Sequence, residues 1–396
     1  MRDLLQARVM TPLLVILAIQ SILAMASYAI PVVATAAALD LGLAPSAVGG
    51  AVSIVYLMAM IFGLPSGQYI ARFGAQRVFQ AALILSGAGI LLITLGHLPW
   101  ALLGTVLIGM STAPMNPTGS HVLARVSPRR WQPLIFSIKQ CGTPGGGMLA
   151  GAILPPLIIL YDWRMALYVV PAFGLAALLL AAVCGVGPRE PRRAGGRVVF
   201  ADIAGSLRFV WSDRIQRGHA RAAMAFAGSQ LAMAAYLVVY LWRVIGLAPE
   251  MAGLIYATVH VSGIAARIAL GFAAGRWLAT RTMLPLLAFV MAAGLAAVAL
   301  STNAWPPAVF FLIAVVIGIG GNGWVGLFLS EITLLAPDDR AADATSGGQF
   351  FMYGGIVAGP SLAGAIVAAT GSYPVLFLVF AAFSCAAGLW LYRVTR

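Results

Sequence analysis

The chain has 396 residues, of which 61% are hydrophobic and only 9% charged. Soluble domains carry roughly 25% charged residues, so a soluble globular enzyme is excluded. The net charge of +13 does not indicate nucleic-acid binding either, because nearly all the basic residues fall in short stretches between apolar runs instead of covering one face of a soluble domain.

A membrane-spanning helix needs ~20 mostly apolar residues, and the chain supplies a dozen such runs. Residues 13–38, 46–70, 78–96, 100–122, 134–160 and 165–187 are predicted as spans 1 to 6. Arg2, Arg8 and Ala24-Met25-Ala26 have the look of a signal peptide, but run 13–38 is too long for its apolar region and many spans follow it, so span 1 is predicted to stay. A polar, Arg-rich stretch, 188–221, is the only long loop, and residues 200–211 within it suit an interfacial amphipathic helix. Residues 222–244, 251–274, 283–301, 307–334, 346–370 and 373–392 are predicted as spans 7 to 12. Cys141, Cys184 and Cys385 lie in apolar segments without paired spacing and read as small packing residues, with no disulfide framework and no metal site.

The arginines test this count. With both termini in the cytoplasm, twenty arginines fall on the cytoplasmic side and only Arg164 and Arg243 outside, while Arg267 and Lys139 lie within spans. One missed span would scramble that asymmetry. The expected location is a bacterial inner membrane, which the Ala- and Arg-rich usage also suggests.

The two halves resemble each other. Gly67, Arg72 and Arg77 recur as Gly271, Arg276 and Arg281, each 204 residues later. Gly109 and Pro128 recur as Gly318 and Pro337 at an offset of 209, and Gly142, Gly146 and Gly151 as Gly355, Gly359 and Gly364 at 213. A duplicated six-helix unit predicts two pseudo-symmetric bundles, 1–187 and 222–396, with 188–221 as linker and a substrate site between the repeats at mid-membrane.

Gly67-Gln-Tyr-Ile-Ala-Arg-Phe-Gly-Ala-Gln-Arg77 resembles the signature loop between helices 2 and 3 of the major facilitator superfamily, matching at Gly67, Arg72, Gly74 and Arg77. Gly142-Thr-Pro-Gly-Gly-Gly147 is similar to the Gly/Pro-rich helix 5 of many members, with Gly359-Pro360 as its counterpart. The resemblance covers essentially the whole chain and implies an all-α fold of twelve transmembrane helices, with spans 1, 4, 7 and 10 around a central cavity. The pattern departs at Ala71, where the family usually has an Asp that helps lock the outward-facing state, so the gate is expected to be held differently. The basic loop residues Arg72, Arg77 and Arg276 are assigned to gating.

Ionisable groups inside a membrane are costly and so are functional candidates. Tyr256, His260, Gly263 and Arg267 follow the spacing that puts them on one face of span 8. The planar guanidinium of Arg267 suits both oxygens of a carboxylate. Arg267-Ile-Ala-Leu-Gly271 resembles the helix 8 segment of monocarboxylate transporters and oxalate–formate exchangers, which implies contact with a substrate carboxylate; an Arg capping helix carbonyls near the gate is the alternative. Lys139, the only lysine, is either a substrate or gate residue or a lysine that snorkels to the headgroups. His260 and His121 are candidates for proton handling, with His121 closer to a capping position. Glu331 lies near the cytoplasmic end of span 10 and is expected to pair with a loop residue such as Arg276. Secondary candidates are Gln20, Ser27 and Tyr28 in span 1, Asn116 and Ser120 in span 4, and Gln230, Tyr236 and Tyr240 in span 7. Asn322 and Trp324 in span 10 and Gln349 and Tyr353 in span 11 complete them. Gly318-Ile-Gly-Gly-Asn-Gly323 spells a dinucleotide-binding pattern, but it lies inside an apolar span with no preceding strand.

The expectation is a monomeric secondary transporter of a small organic anion, a carboxylate, coupled to protons or to a counter-anion and needing no cofactor. A broad-specificity drug or metabolite exporter is the alternative. No nucleophile or metal cluster near an interface supports a membrane-embedded enzyme, and no soluble domain supports a receptor.

Overall fold

Inside a bilayer the backbone has no water to bond, so each apolar run closes its own hydrogen bonds as a helix. The computed structural model describes residues 7–40, 47–187, 204–274, 276–337 and 339–395, and among these there is no β-strand. Eleven helices are long and apolar enough to cross a membrane: Ala7–Val33, Ala75–Thr94, Leu98–Val126, Arg129–Leu160, Trp163–Cys184, Arg214–Arg243, Glu250–Ala273, Thr280–Ala299, Pro307–Leu334, Ala341–Thr370 and Tyr373–Val394. Span 2 is the twelfth and is bent by 60° between Gly50–Gly63 and Ser66–Phe73. The twelve spans form two pseudo-symmetric six-helix bundles.

Two elements differ from expectation. Span 7 starts at Arg214, because Asp213 caps it by accepting from the backbone N–H of Ile215 (2.9 Å) and Gln216 (2.7 Å). Residues 200–203 of the predicted interfacial helix lie outside the described residues, and the helix seen is Gly205–Ser212. It does not lie free on the membrane: Ser206 and Val210 are buried, Gly347 of span 11 leaves the space they fill, and Trp211 stacks on Phe351 at 5.5 Å.

The repeated glycines mark equivalent close approaches, as small residues do where packing replaces the hydrophobic effect. Gly142 and Gly146 of span 5 lie against Leu17, Gln20 and Ser21 of span 1; Gly355 and Gly359 of span 11 lie against Met224 and Gly228 of span 7. Likewise Gly109 of span 4 meets Val55 and Met58 of span 2, and Gly318 of span 10 meets Val259 and Ser262 of span 8.

The bundles meet on the side where the first span begins at Ala7 and the last ends at Thr395, called here the termini side. There Gly271 and Gly326 of the second bundle fit against Ser137 of span 5, Trp131 faces Phe272 (6.3 Å), and Gly67 of span 2 fits against Asp343 of span 11. A central cavity lies beyond this seal.

Candidate functional site

Spans 4, 5 and 10 are each broken near their middles. Span 4 consists of Leu98–Thr112 and Met115–Val126, span 5 of Gln132–Gln140 and Gly142–Leu160, and span 10 of Pro307–Asn322 and Trp324–Leu334. Two breaks follow from proline chemistry. A helical carbonyl accepts from the N–H four residues on, and Pro117 and Pro144 have none to give, so Ala113 O and Gln140 O are orphaned. Side chains of the other bundle take them: Gln349 Nε2 donates to Ala113 O at 3.0 Å, and Arg267 Nη1 donates to Gln140 O at 2.8 Å. Arg267 Nε also donates to Asn322 O, the last residue before the break of span 10, at 2.6 Å.

Arg267 is therefore a buried cation, 7% exposed, tied to carbonyls from both bundles. Among the described residues no carboxylate forms an ion pair with it. It lies on the lining of a cavity of about 400 Å³ between the bundles. No Asp or Glu is among the described residues that line this cavity.

Ten of the expected residues share that lining: Ser27, Tyr28, Asn116, Gln230, Tyr256, His260, Arg267, Asn322, Trp324 and Tyr353. Gln230 Nε2 donates to Asn322 Oδ1 at 2.6 Å, which ties span 7 to span 10. A side chain at Gly263 would meet Asn322, so this glycine is what lets spans 8 and 10 close at the site. Tyr256 and His260 stand edge to face at 4.7 Å, and Tyr353 faces Tyr56 across the bundles at 5.6 Å.

Six expected residues lie elsewhere, of which Ser120, Tyr240 and Gln349 are buried within the protein. Gln20 sits fully buried behind the wall, donating to Gln140 Oε1 (2.8 Å) and Thr143 Oγ1 (3.0 Å), which do line the cavity. Tyr236 packs against Tyr373 (6.2 Å). Lys139 neither lines the cavity nor snorkels: it is 0% exposed, its chain folded inward against Gly119 of span 4 and over the Phe136 ring at 5.9 Å. Gln140, Thr143 and Tyr56 are lining residues that the sequence reading missed. Pro144 was the available signal for Gln140, since it marks the orphaned carbonyl.

Between spans 2 and 3, Gly74 adopts φ 80°, a backbone that suits glycine, and so separates Ser66–Phe73 from Ala75–Thr94. Arg72 lies over Phe73 (5.1 Å), and Arg77 is exposed. The expected Glu331–Arg276 pair does not form. The Arg276 guanidinium lies over the rings of Phe272 (5.1 Å) and Trp277 (5.9 Å), and the cation acting on Glu331 is Arg281. The carboxylate missing at position 71 has a counterpart on the opposite partner: Asp343 of span 11 stands over Gly67, is held by Arg340 Nε at 3.1 Å, and lies 3.3 Å from Ser206 Oγ, which also reaches Leu64 O at 2.9 Å. On the far side of the membrane, Asp40 accepts from Trp163 Nε1 (2.9 Å) and Arg164 Nη1 (2.6 Å). Those two bonds, the tryptophan's foremost, hold its carboxyl below the usual carboxylate range.

Two six-helix bundles closing one end of a polar-floored cavity define a membrane transport protein. A sequence profile of the Major Facilitator Superfamily matches residues 16–360, and the chain belongs to that family and is a transporter. No curated protein matches its sequence. Among solved structures it is similar to the fucose:proton symporter FucP of E. coli (16% identity, 99% of this chain and 100% of that one, TM-score 0.75). It is also similar to the human organic anion transporter MFSD10 (14%, 97% and 99%, 0.76) and to a bacterial homologue of the iron transporter ferroportin in an outward-facing state (16%, 98% and 99%, 0.77). At these identities the likeness is one of fold.

Proposed function

We propose that this protein carries a small organic anion, a carboxylate, across the bacterial inner membrane by alternating access, through proton symport or anion exchange. The observation that carries the reading is Arg267: a guanidinium on the cavity wall with no carboxylate partner, in a cavity to which no described acidic residue contributes. A buried charge without a counter-charge is costly, and an anionic cargo supplies the counter-charge during the cycle. Tyr28, Tyr256 and Tyr353 offer hydroxyls and aromatic walls, while Asn116, Gln230 and Asn322 offer amides, for the remainder of a small ligand. Among the described residues the cavity has no carboxylate to attract a cation, which disfavours a cationic-drug exporter.

Both termini are placed in the cytoplasm on the arginine distribution, so the sealed end is the cytoplasmic gate and the protein is outward-facing. The bundles are taken as 1–187 and 222–396 with 188–221 between them, acting as a monomer. The fold is shared with a human organic anion transporter and a fucose:proton symporter, which accords with an anionic cargo and a coupled proton.

The test is a thermal-shift screen of purified protein against small carboxylates, beside Arg267→Ala. A ligand that stabilises the wild type and not the variant supports the reading. Stabilisation by neutral or cationic compounds alone overturns it in favour of the exporter.

A further inference from the structure

Lys139 has no role in the site described above, yet it is the least expected residue in the first bundle. All the other Lys and Arg positions of the chain are arginine. Its side chain is fully buried, and its Nζ has no hydrogen-bond partner. Gly119 makes the room it occupies: a Cβ there would come within 3.3 Å of Nζ. Asn116 lies three residues before Gly119 on the same side of span 4, and Ser120 one turn after Asn116. Both are buried, and Asn116 Oδ1 and Ser120 Oγ also lack partners, as does Gln20 Oε1 of span 1. Buried polar groups are normally paired, yet spans 1, 4 and 5 leave these oxygens and one amine without partners. Asn116, one turn before the Gly119 that gives Lys139 room, also lines the central cavity.

The ionisable groups on the surrounding elements do not neutralise an ammonium here. Span 1 brings none between Val9 and Ser27, with Arg8 below and Tyr28 above; span 4 brings His121 and Arg125. The start of span 5 carries Arg129 and Arg130, and its break Cys141. From the second bundle, span 8 brings Tyr256, His260 and Arg267, and span 10 brings Glu331. Arg267 is directed to the carbonyl of Gln140, next to Lys139, and adds a like charge. Among the described residues no carboxylate pairs with Lys139.

Burying an unpaired ammonium costs several kcal/mol, a cost the group escapes by releasing its proton. Arginine has no such escape, whereas lysine does. Lys139 also sits on the half of span 5 that spans 8 and 10 cover when the termini-side gate is shut, since Ser137 carries the contacts with Gly271 and Gly326.

We propose that Lys139 is a proton-operated gate residue: a neutral amine while the termini-side gate is closed, as here, and an ammonium once the bundles part and water enters, with Asn116 as its link to the cavity. The proposal rests on the alternating-access reading above but not on the anion. Low pH then favours the open termini-side gate and high pH the closed one, because opening takes up a proton.

The sole lysine makes the test direct. Protein carrying ¹⁵Nζ-lysine in lipid nanodiscs gives one lysine side-chain nitrogen signal, which is followed from about pH 5 to 9, the range between ordinary carboxylate and lysine titration. Gate opening is followed without any substrate by the distance between spin labels at Arg130 and Leu335 in a cysteine-free background. The expected result is a change from amine to ammonium over the same pH interval in which the labels separate. In Lys139→Met, which keeps the volume and loses the proton site, the gate should stay closed at all pH; in Lys139→Arg it should be open at all pH. An ammonium signal throughout, or a pH-dependent gate that survives Lys139→Met, overturns the proposal and moves the proton to His121 or His260. Carboxylate stabilisation lost in Arg267→Ala is scored separately, so failure of the anion reading is distinguishable from failure of this one.

Discussion

The termini-side gate has two corners related by the internal duplication, and they are fastened differently. In one, span 11 of the second bundle meets spans 2 and 4 of the first; in the other, span 8 meets span 5. Each corner carries a helix break made by a proline, and each break is closed by a side chain from the opposite bundle. At the first corner the closing group is the neutral amide of Gln349. At the second it is the guanidinium of Arg267, the same group that lines the cavity. The first corner is a fastening independent of the proposed ligand, with Asp343, Ser206 and Leu64 reinforcing it. The second joins the proposed ligand site and the gate in one residue, so on this proposal an anion that draws the guanidinium away from Gln140 O loosens the gate as it binds.

The largest break in this comparison is Arg267→Leu. It leaves two buried carbonyls unpaired at about 1–3 kcal/mol each, and equilibrium unfolding should show a loss of about 2–6 kcal/mol. Pro144→Ala is gentler and more informative. It returns an N–H to span 5, so Gln140 O is satisfied within its own helix and Arg267 is released. Loss of one charge-assisted bond of about 1.5–3 kcal/mol from the closed state should open the gate roughly tenfold or more, read as alkylation of a cysteine at Ser137. Pro117→Ala makes the matching change at the neutral corner and should shift the same readout by only about fivefold, for a bond of about 1 kcal/mol. Equal effects of the two prolines would remove the distinction between the corners. Asp343→Asn should change gate accessibility by less than about threefold, because the Arg340 pair is partly exposed. Smallest is the far-side tie of Asp40 to Trp163 and Arg164. Its carboxyl is held below the ordinary value near 3.9, so its contribution is present above that pH and fades as pH falls through the lower folded value. A melting curve at neutral pH should drop slightly in Asp40→Asn, with the difference vanishing in acid.

Much of this architecture was legible in the sequence because the bilayer leaves few alternatives. Run length and the arginine distribution gave twelve spans, and the paired glycines at Gly146/Gly359 and Gly109/Gly318 mark the same helix contacts in both halves. Span 8 was read from periodicity, which brought Tyr256, His260 and Arg267 to one wall. Periodicity reports which side of a helix a residue occupies, but not which neighbour covers it. Gln20 and Tyr236 had suitable chemistry in suitable spans and still face away from the cavity. Lys139 was legible only as a lone lysine within a span, which carries no information about Gly119, the glycine that gives it room inside the bundle. Pro117 and Pro144 announce orphaned carbonyls, but the groups that answer them, Gln349 and Arg267, come from the other bundle, across a distance in sequence that local patterns do not span.

The most direct test of the central claim, that Arg267 binds the anion and fastens the gate, is counterflow in proteoliposomes of a carboxylate that stabilises the wild type. Arg267→Ala and Arg267→Lys are compared with wild type at equal reconstitution. The account predicts loss of at least about 100-fold in Arg267→Ala, equivalent to about 2.7 kcal/mol, with only partial recovery in Arg267→Lys, whose ammonium lacks the fork that serves two carbonyls and a carboxylate together. Wild-type flux in Arg267→Ala would contradict it.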